Sequence, residues 1–322
     1  MARSVPLFIN SSLYGLNFVD ASPAQIYTDP KIYVEGQLGF QEKYPTDMVP
    51  CPVYLVGESL QYGSVVKVQN ETAPILKKTY YEGSGKMPLA IPNFSSPFYD
   101  YFFETVALMK KEMPDKYLLA FVTSPVDYGI MVFGTIKWLD MLLFERELYD
   151  YWLHAFTVYH NKFKEILVGM GVDRLITSNV FMNNRIIPDK LIGGHIIPKL
   201  NEWIDPSYPT IIHATFMPVL ECVKRLESLD SSWGYVLDES DDLSEVVDYL
   251  SKPKIIAGNL GSEYIYKKTP ATIEKMVYKA LTSMKRYDKY VLSTSGADMN
   301  LKTSNEQLLS IYRGIERYEA DN

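Results

Sequence analysis

Cysteine is nearly absent from this chain. Cys51 and Cys222 are the only two in 322 residues, too few for a disulfide framework, so a thiol-bearing cytoplasmic protein is expected. Basic charge is also short: Lys and Arg number 32 against 39 Asp and Glu, a formal net charge of −7. That balance, without any basic run, excludes a nucleic-acid binder of the usual phosphate-tracking kind. No arginine stands between Arg3 and Arg146, so the N-terminal third has no bidentate partners for a ligand rich in carboxylates or phosphates. No apolar run reaches membrane-spanning length, and the stretch from Val5 to Ile9 is too short for a signal peptide, so no membrane association is expected. Phosphate-loop signatures are missing as well. Gly83-Ser84-Gly85-Lys86 has Tyr80 where a phosphate loop begins with glycine and Met87 where it needs Ser or Thr.

Apolar material is plentiful, at 47% of the chain, and tyrosine reaches 25 residues. Six short apolar runs each end in small polar or ionisable residues. They close at Thr123-Ser124, Thr177-Ser178-Asn179, His213, Asp238, Gly258-Asn259 and Ser293-Thr294-Ser295. Helical text separates most of them. Asp29-Pro30 and Thr269-Pro270 read as helix starts, and Thr303-Ser304-Asn305-Glu306 as a capping box. Residues 64–97, rich in Pro, Gly and Tyr, read as a hairpin and long loop. Strand-then-helix repeated about eight times predicts a parallel sheet. The expectation is an α/β fold: one (β/α)8 TIM-type barrel with an N-terminal extension, residues 1–322 forming a single domain. In such barrels the carboxyl ends of the strands form the active-site mouth, so the polar strand ends outline a candidate rim.

His213 is the rim residue best suited to proton chemistry near neutrality. His154 and His160 lie six apart and do not share a helix face, which makes them structural helix histidines. Cys222 reads as packed and inert.

Around His213 the chain resembles the uroporphyrinogen decarboxylase superfamily, in particular its corrinoid-dependent methyltransferase branch, which includes methylcobamide:coenzyme M methyltransferase. The resemblance runs through Asp29 to Val49, Glu58-Ser59-Leu60-Gln61-Tyr62-Gly63-Ser64, Gly171-Val172-Asp173, and Ile187-Pro188 to Ile197-Pro198. It continues through Asp238, Gly258-Asn259-Leu260, Thr269-Pro270 and Gly296-Ala297-Asp298. The branch holds zinc through a His-x-Cys motif and a distant Gly-Cys-Asp motif. Here these read His213-Ala214-Thr215 and Gly296-Ala297-Asp298, so neither thiolate is present and no metal site is expected.

The resemblance implies a methyltransferase, or demethylase, that exchanges a methyl group between a small methylated substrate and cobalamin carried by a separate corrinoid protein. An aromatic methyl ether or a methylamine would suit a tyrosine-rich pocket. His213 is the expected acid or hydrogen-bond donor, with Asp238 and Asp298 orienting it or binding a cation. Asn179, Asn259, Thr215, Ser295 and Ser124 are the expected substrate contacts. Two alternatives stand beside this: a metal-free decarboxylase acting on a small acid, and a non-catalytic binding subunit.

Overall fold

Each run of the repeating strand text has two apolar faces, as strands buried on both sides must. In Tyr117–Thr123, Leu119 and Phe121 belong to one apolar cluster, while Leu118, Ala120 and Val122 belong to another. The computed structural model describes residues 5–88, 93–183, 185–213, 219–296 and 298–322, with 219, 221 and 222 described by backbone alone. It resolves the two faces as the inside and outside of a closed barrel.

The strands in chain order are β1 (Leu7–Phe8), β2 (Met48–Pro50), β3 (Val65–Lys67), β4 (Ile75–Lys78) and β5 (Tyr117–Thr123). They continue with β6 (Arg174–Ser178), β7 (Thr210–His213), β8 (Ser232–Val236), β9 (Ile255–Gly261) and β10 (Tyr290–Ser295). β3 and β4 form a separate antiparallel hairpin. The other eight close into a barrel in the order β1-β10-β9-β8-β7-β6-β5-β2, every observed pairing parallel. The expected (β/α)8 barrel is the fold observed.

Phe8, Leu119, Phe121, Ile176, Ile211, Val236 and Ala257 fill the interior. A larger cluster joins the outward faces to the surrounding helices. Burying a side chain of this kind contributes roughly 1.5–3 kcal/mol against conformational entropy.

Local signals place several helices as read. Asp29 Oδ1 accepts from the backbone N–H of Lys31 at 2.9 Å and opens helix Pro30–Lys43. Thr269 Oγ1 accepts from Thr272 N at 3.2 Å ahead of helix Pro270–Ser283. The last capping box sits one residue later than its sequence signature suggests. Ser304 is the cap and Gln307, rather than Glu306, completes it before helix Asn305–Asp321. Helix Pro125–Phe133 has no counterpart in the sequence reading. Its apolar residues are buried all round, which removes the amphipathic stripe that periodicity detects.

Much of the material beyond the barrel strands lies between β2 and β5. It comprises the 3-10 segment Leu55–Tyr62, the β3–β4 hairpin and helices Tyr80–Ser84 and Pro97–Glu112. The phosphate-loop look-alike falls at the end of the first of these helices, where Gly85 closes it in the left-handed conformation. Among the described residues no helix is long and apolar enough to cross a membrane.

Candidate active site at the barrel mouth

Register brings three polar strand ends side by side. Thr123 pairs with Ser178, and Ser178 with His213. All three continue the inward faces that carry Phe121, Ile176 and Ile211 one step below. They line a cavity of about 280 Å³ together with Asn10, Asp127 and Gly296. Its apolar walls include Val53, Leu55, Phe121, Ile130, Met131 and Phe181, and Ala73-Pro74, from the turn between β3 and β4, complete the lining. Among the described residues on this wall none is cationic.

His213 is buried, and its Nε2 accepts a hydrogen bond from the backbone N–H of Gly296 at 3.1 Å. Burial pushes the imidazole down to about 4, with the charge of Asp238 opposing more weakly, and the N–H bond from Gly296 favours the neutral ring. At neutral pH it is therefore uncharged. The part expected of it as an acid is not one that an imidazolium fills in this geometry.

Asp127 is the one carboxylate on the wall. Its Oδ1 accepts from Phe181 N at 3.0 Å, and its Oδ2 from Val180 N at 2.8 Å and Ser178 Oγ at 3.3 Å. Burial raises it to about 6, with the contacts from Val180, Phe181, Ser178 and Ser124 opposing. It pins the loop after β6 against the mouth.

Behind Thr123 lies a second polar group that the sequence reading did not single out. Glu58 Oε1 accepts from Thr123 Oγ1 at 2.6 Å and Thr123 N at 3.2 Å, and Oε2 accepts from the Tyr159 hydroxyl at 2.5 Å. The Tyr159 and Tyr99 hydroxyls are 2.7 Å apart, and Gln61 Nε2 donates to Tyr99 and Tyr128 at 2.7 Å each. His160 Nδ1 lies 2.9 Å from the Thr123 carbonyl oxygen. Burial lifts the Glu58 carboxyl to about 7. The expected tyrosine-rich pocket is instead this internal network. Tyr54 is the one tyrosine on the cavity wall among the described residues.

The other expected contacts divide sharply. Ser124 is not in the cavity: its Oγ accepts from Asp127 N at 3.1 Å and caps helix Pro125–Phe133. Asn179 donates its backbone N–H to the His213 carbonyl at 3.0 Å, and its side chain is buried off the wall with Oδ1 unpartnered. In both cases the strand alternation places the preceding residue, Thr123 or Ser178, inside; a shift by one residue reverses the face. Asn259 Nδ2 donates to the Asp241 carbonyl at 3.0 Å, and the residue borders a groove with Asp242, Met276 and Lys279 outside the mouth.

Ser295 is buried with its Oγ unpartnered among the described residues, although it is not on the cavity wall. Asp238 Oδ1 accepts from Ser240 N at 3.0 Å and Ser240 Oγ at 2.8 Å, so it shapes the turn after β8 and reaches His213 only through its charge. Asp298 lines an adjoining cavity that shares Ala73 with the first. Its Oδ1 accepts from Leu13 N at 2.9 Å, its Oδ2 has no partner among the described residues, and burial lifts it to about 7. His213 and Asp298 thus line different cavities. Thr215, Ala297 and the Cys222 side chain lie outside the described residues.

Among the described residues no three potential metal ligands cluster, Nε2 of His213 is engaged by Gly296, and the sequence puts Thr and Ala at positions 215 and 297.

A family model described as uroporphyrinogen decarboxylase (URO-D) matches residues 12–318. The chain belongs to the URO-D family. No curated protein matches it. Among solved structures, it is similar to a methyltransferase from Methanosarcina mazei, with TM-score 0.84, 13% identity, and coverage of 99% of this chain and 95% of that one. It is also similar to a B12-independent methionine synthase from Shewanella sp. W3-18-1 in complex with selenomethionine. There the TM-score is 0.59 at 13% identity, covering 92% of this chain and 90% of that one. At these identities the likeness establishes the shared barrel. In barrels of this kind the chemistry is sought at the mouth formed by the carboxyl ends of the strands.

Proposed function

We propose that this URO-D family member is a methyltransferase that demethylates a small, uncharged methylated compound, with cobalamin of a separate corrinoid protein as the methyl acceptor. The observation that carries the reading is the mouth itself. A mostly apolar chamber of about 280 Å³ is faced by an uncharged histidine and carries no cation among its described wall residues. Such a chamber is matched to a methyl ether or similar neutral compound rather than to an anion. A protonated methylamine is also poorly served, because both oxygens of Asp127 are already engaged.

A cavity of this volume is too small for a corrin ring. Cobalamin would therefore have to be presented from outside by its own protein and would supply the cobalt(I) nucleophile. The methyl carbon–heteroatom bond would break as the methyl group passes to it, and the departing oxygen or sulfur anion would take its proton from solvent on release. The chain's part is to exclude water, hold the apolar body against Phe121, Met131 and Phe181 and fix its direction. Thr123 and Ser178 are held rigid by Glu58 and Asp127 behind them. The tetrapyrrole activity in the family's name is disfavoured by the same volume and by the missing arginines between Arg3 and Arg146.

Mixing the protein with reduced cob(I)alamin and a panel of neutral methyl ethers and thioethers tests this. Consumption of the cob(I)alamin absorbance with formation of methylcobalamin supports the reading. No exchange with any panel member, with free cobalamin or a corrinoid protein, overturns it.

A further inference from the structure

Asn10 stands one alternation beyond Phe8, whose side chain is in the barrel interior, and so faces the mouth. Its backbone is fixed on both sides: its N–H donates to Thr294 Oγ1 at 2.8 Å, and its carbonyl accepts from Met299 N at 3.1 Å. The side chain is 2% exposed and lines the same cavity as His213. Both of its polar atoms, Oδ1 and Nδ2, are buried without a partner among the described residues.

An unsatisfied buried carboxamide costs stability twice over, once for the donor and once for the acceptor. Other side-chain amides in this protein are used economically. Gln37 Nε2 donates to Ser11 and Ser12 carbonyls while its Oε1 accepts from Ser11 Oγ. Gln61 and Asn179 each leave one amide oxygen unpartnered among the described residues, but Asn10 leaves both of its polar atoms so, and it lines a chamber whose other polar groups are few. The chamber is large enough for an aromatic ring and a small polar head, since roughly 150 Å³ already accommodates benzene.

We propose that Asn10 is the specificity-determining residue of the mouth, and that it reads a ligand presenting a hydrogen-bond acceptor and a donor side by side on an uncharged, mainly apolar body: a carboxamide. The pairing is reciprocal. Nδ2 donates to the ligand's carbonyl oxygen, and Oδ1 accepts from its N–H. A carboxylate offers no donor to Oδ1 and finds no cation on the described wall, and an ammonium offers no acceptor to Nδ2. The inference rests on the mouth being the substrate site, as proposed above, and adds the chemical class of the polar end.

Calorimetric titration of the full chain with benzamide, benzoate and benzylammonium tests it, using wild type and N10L. Leucine keeps the branching of asparagine at Cγ, is somewhat larger and suits the apolar surroundings, so the unfolding midpoint of N10L serves as a control for folding and for overpacking. Benzamide is expected to bind wild type saturably, at least about tenfold tighter than either charged probe, and to weaken about tenfold or more in N10L, as loss of two hydrogen bonds requires. Equal benzamide affinity in the two proteins, tighter binding of a charged probe, or no saturable benzamide binding to wild type overturns the inference. Methyl exchange together with N10L-insensitive benzamide binding would leave the proposed reaction standing and remove this inference. Asn10-dependent benzamide binding without methyl exchange would do the reverse.

Discussion

Gly296 gives its backbone N–H to Nε2 of His213 at 3.1 Å, across the barrel from one strand end to another. An imidazole nitrogen that accepts is unprotonated, so this contact sets the tautomer: in the neutral ring the proton is on Nδ1. Nitrogen-15 correlation spectra of the imidazole are expected to show the Nδ1–H form, unchanged on acidification until well below pH 6. An imidazole that titrates near 6.5 would contradict the geometry. The linkage has a definite sign. The folded value, about 4, lies below the unfolded one, so the unfolded chain takes up the proton first. His213's contribution to stability is complete above pH 6.5 and is lost as the pH falls toward 4, by on the order of 3 kcal/mol.

Glu58 behaves in the opposite sense. Its folded value, about 7, lies above the ordinary carboxyl value of 4.5, so the folded chain holds the proton more tightly. Stability from this group is complete below pH 4.5 and declines as the pH rises to 7, by on the order of 3 kcal/mol. Glu58→Gln carries no titrating proton. Urea unfolding of wild type and E58Q at several pH values is expected to show wild type losing ground to the variant across that window. A difference independent of pH would show that the folded carboxyl titrates at its ordinary value, as in the unfolded chain.

Removing the Asp127 side chain strands three donors at once: Val180 N, Phe181 N and Ser178 Oγ. Asp127→Ala is expected to cost about 3 kcal/mol in denaturant unfolding, because groups left without an acceptor bear their full desolvation penalty. Asp127→Asn, which keeps one acceptor oxygen, should cost less than half of that. Benzamide affinity in D127N is expected to fall as well, since Val180 and Phe181 form part of the chamber wall. Equal stability of D127A and wild type would mean that the loop after β6 is held by other contacts.

Much of this arrangement is legible in the amino-acid sequence, and the misses share physical causes. Apolar runs ending in polar residues mark six of the eight barrel strands, and His213 does face the mouth. The face of a strand residue, however, is set by a period of two, and composition alone does not give its phase. Ser124 and Asn179 are each one residue past the inward position, held by Thr123 and Ser178. Counting from Phe8 by the same rule would have found Asn10. Counting to Asn259 from Ala257 would have misled, because its amide is drawn to the Asp241 carbonyl. Glu58 left no periodic trace at all. Its partners Thr123 and Tyr159 lie 65 and 101 residues away, and only the folded chain assembles them.

Close approach of β8 and β9 supplies a test of the barrel wall itself. A Cβ built on Gly234 would stand 2.2 Å from the Ile255 carbonyl oxygen and 2.7 Å from Ile255 Cβ. The first of these is backbone, in a strand paired with Gly234 at that very position, and it has no rotamer by which to withdraw. Gly234→Ala must therefore separate two strands whose inward neighbours, Val236 and Ala257, lie in the interior cluster beneath the mouth. Overpacking of this kind costs about 3 kcal/mol when the obstacle is rigid. Thermal unfolding should show a lowered midpoint, and benzamide affinity should fall with it if the displacement travels up the strands to His213. A G234A protein with wild-type stability would mean that β8 and β9 are farther apart than described here.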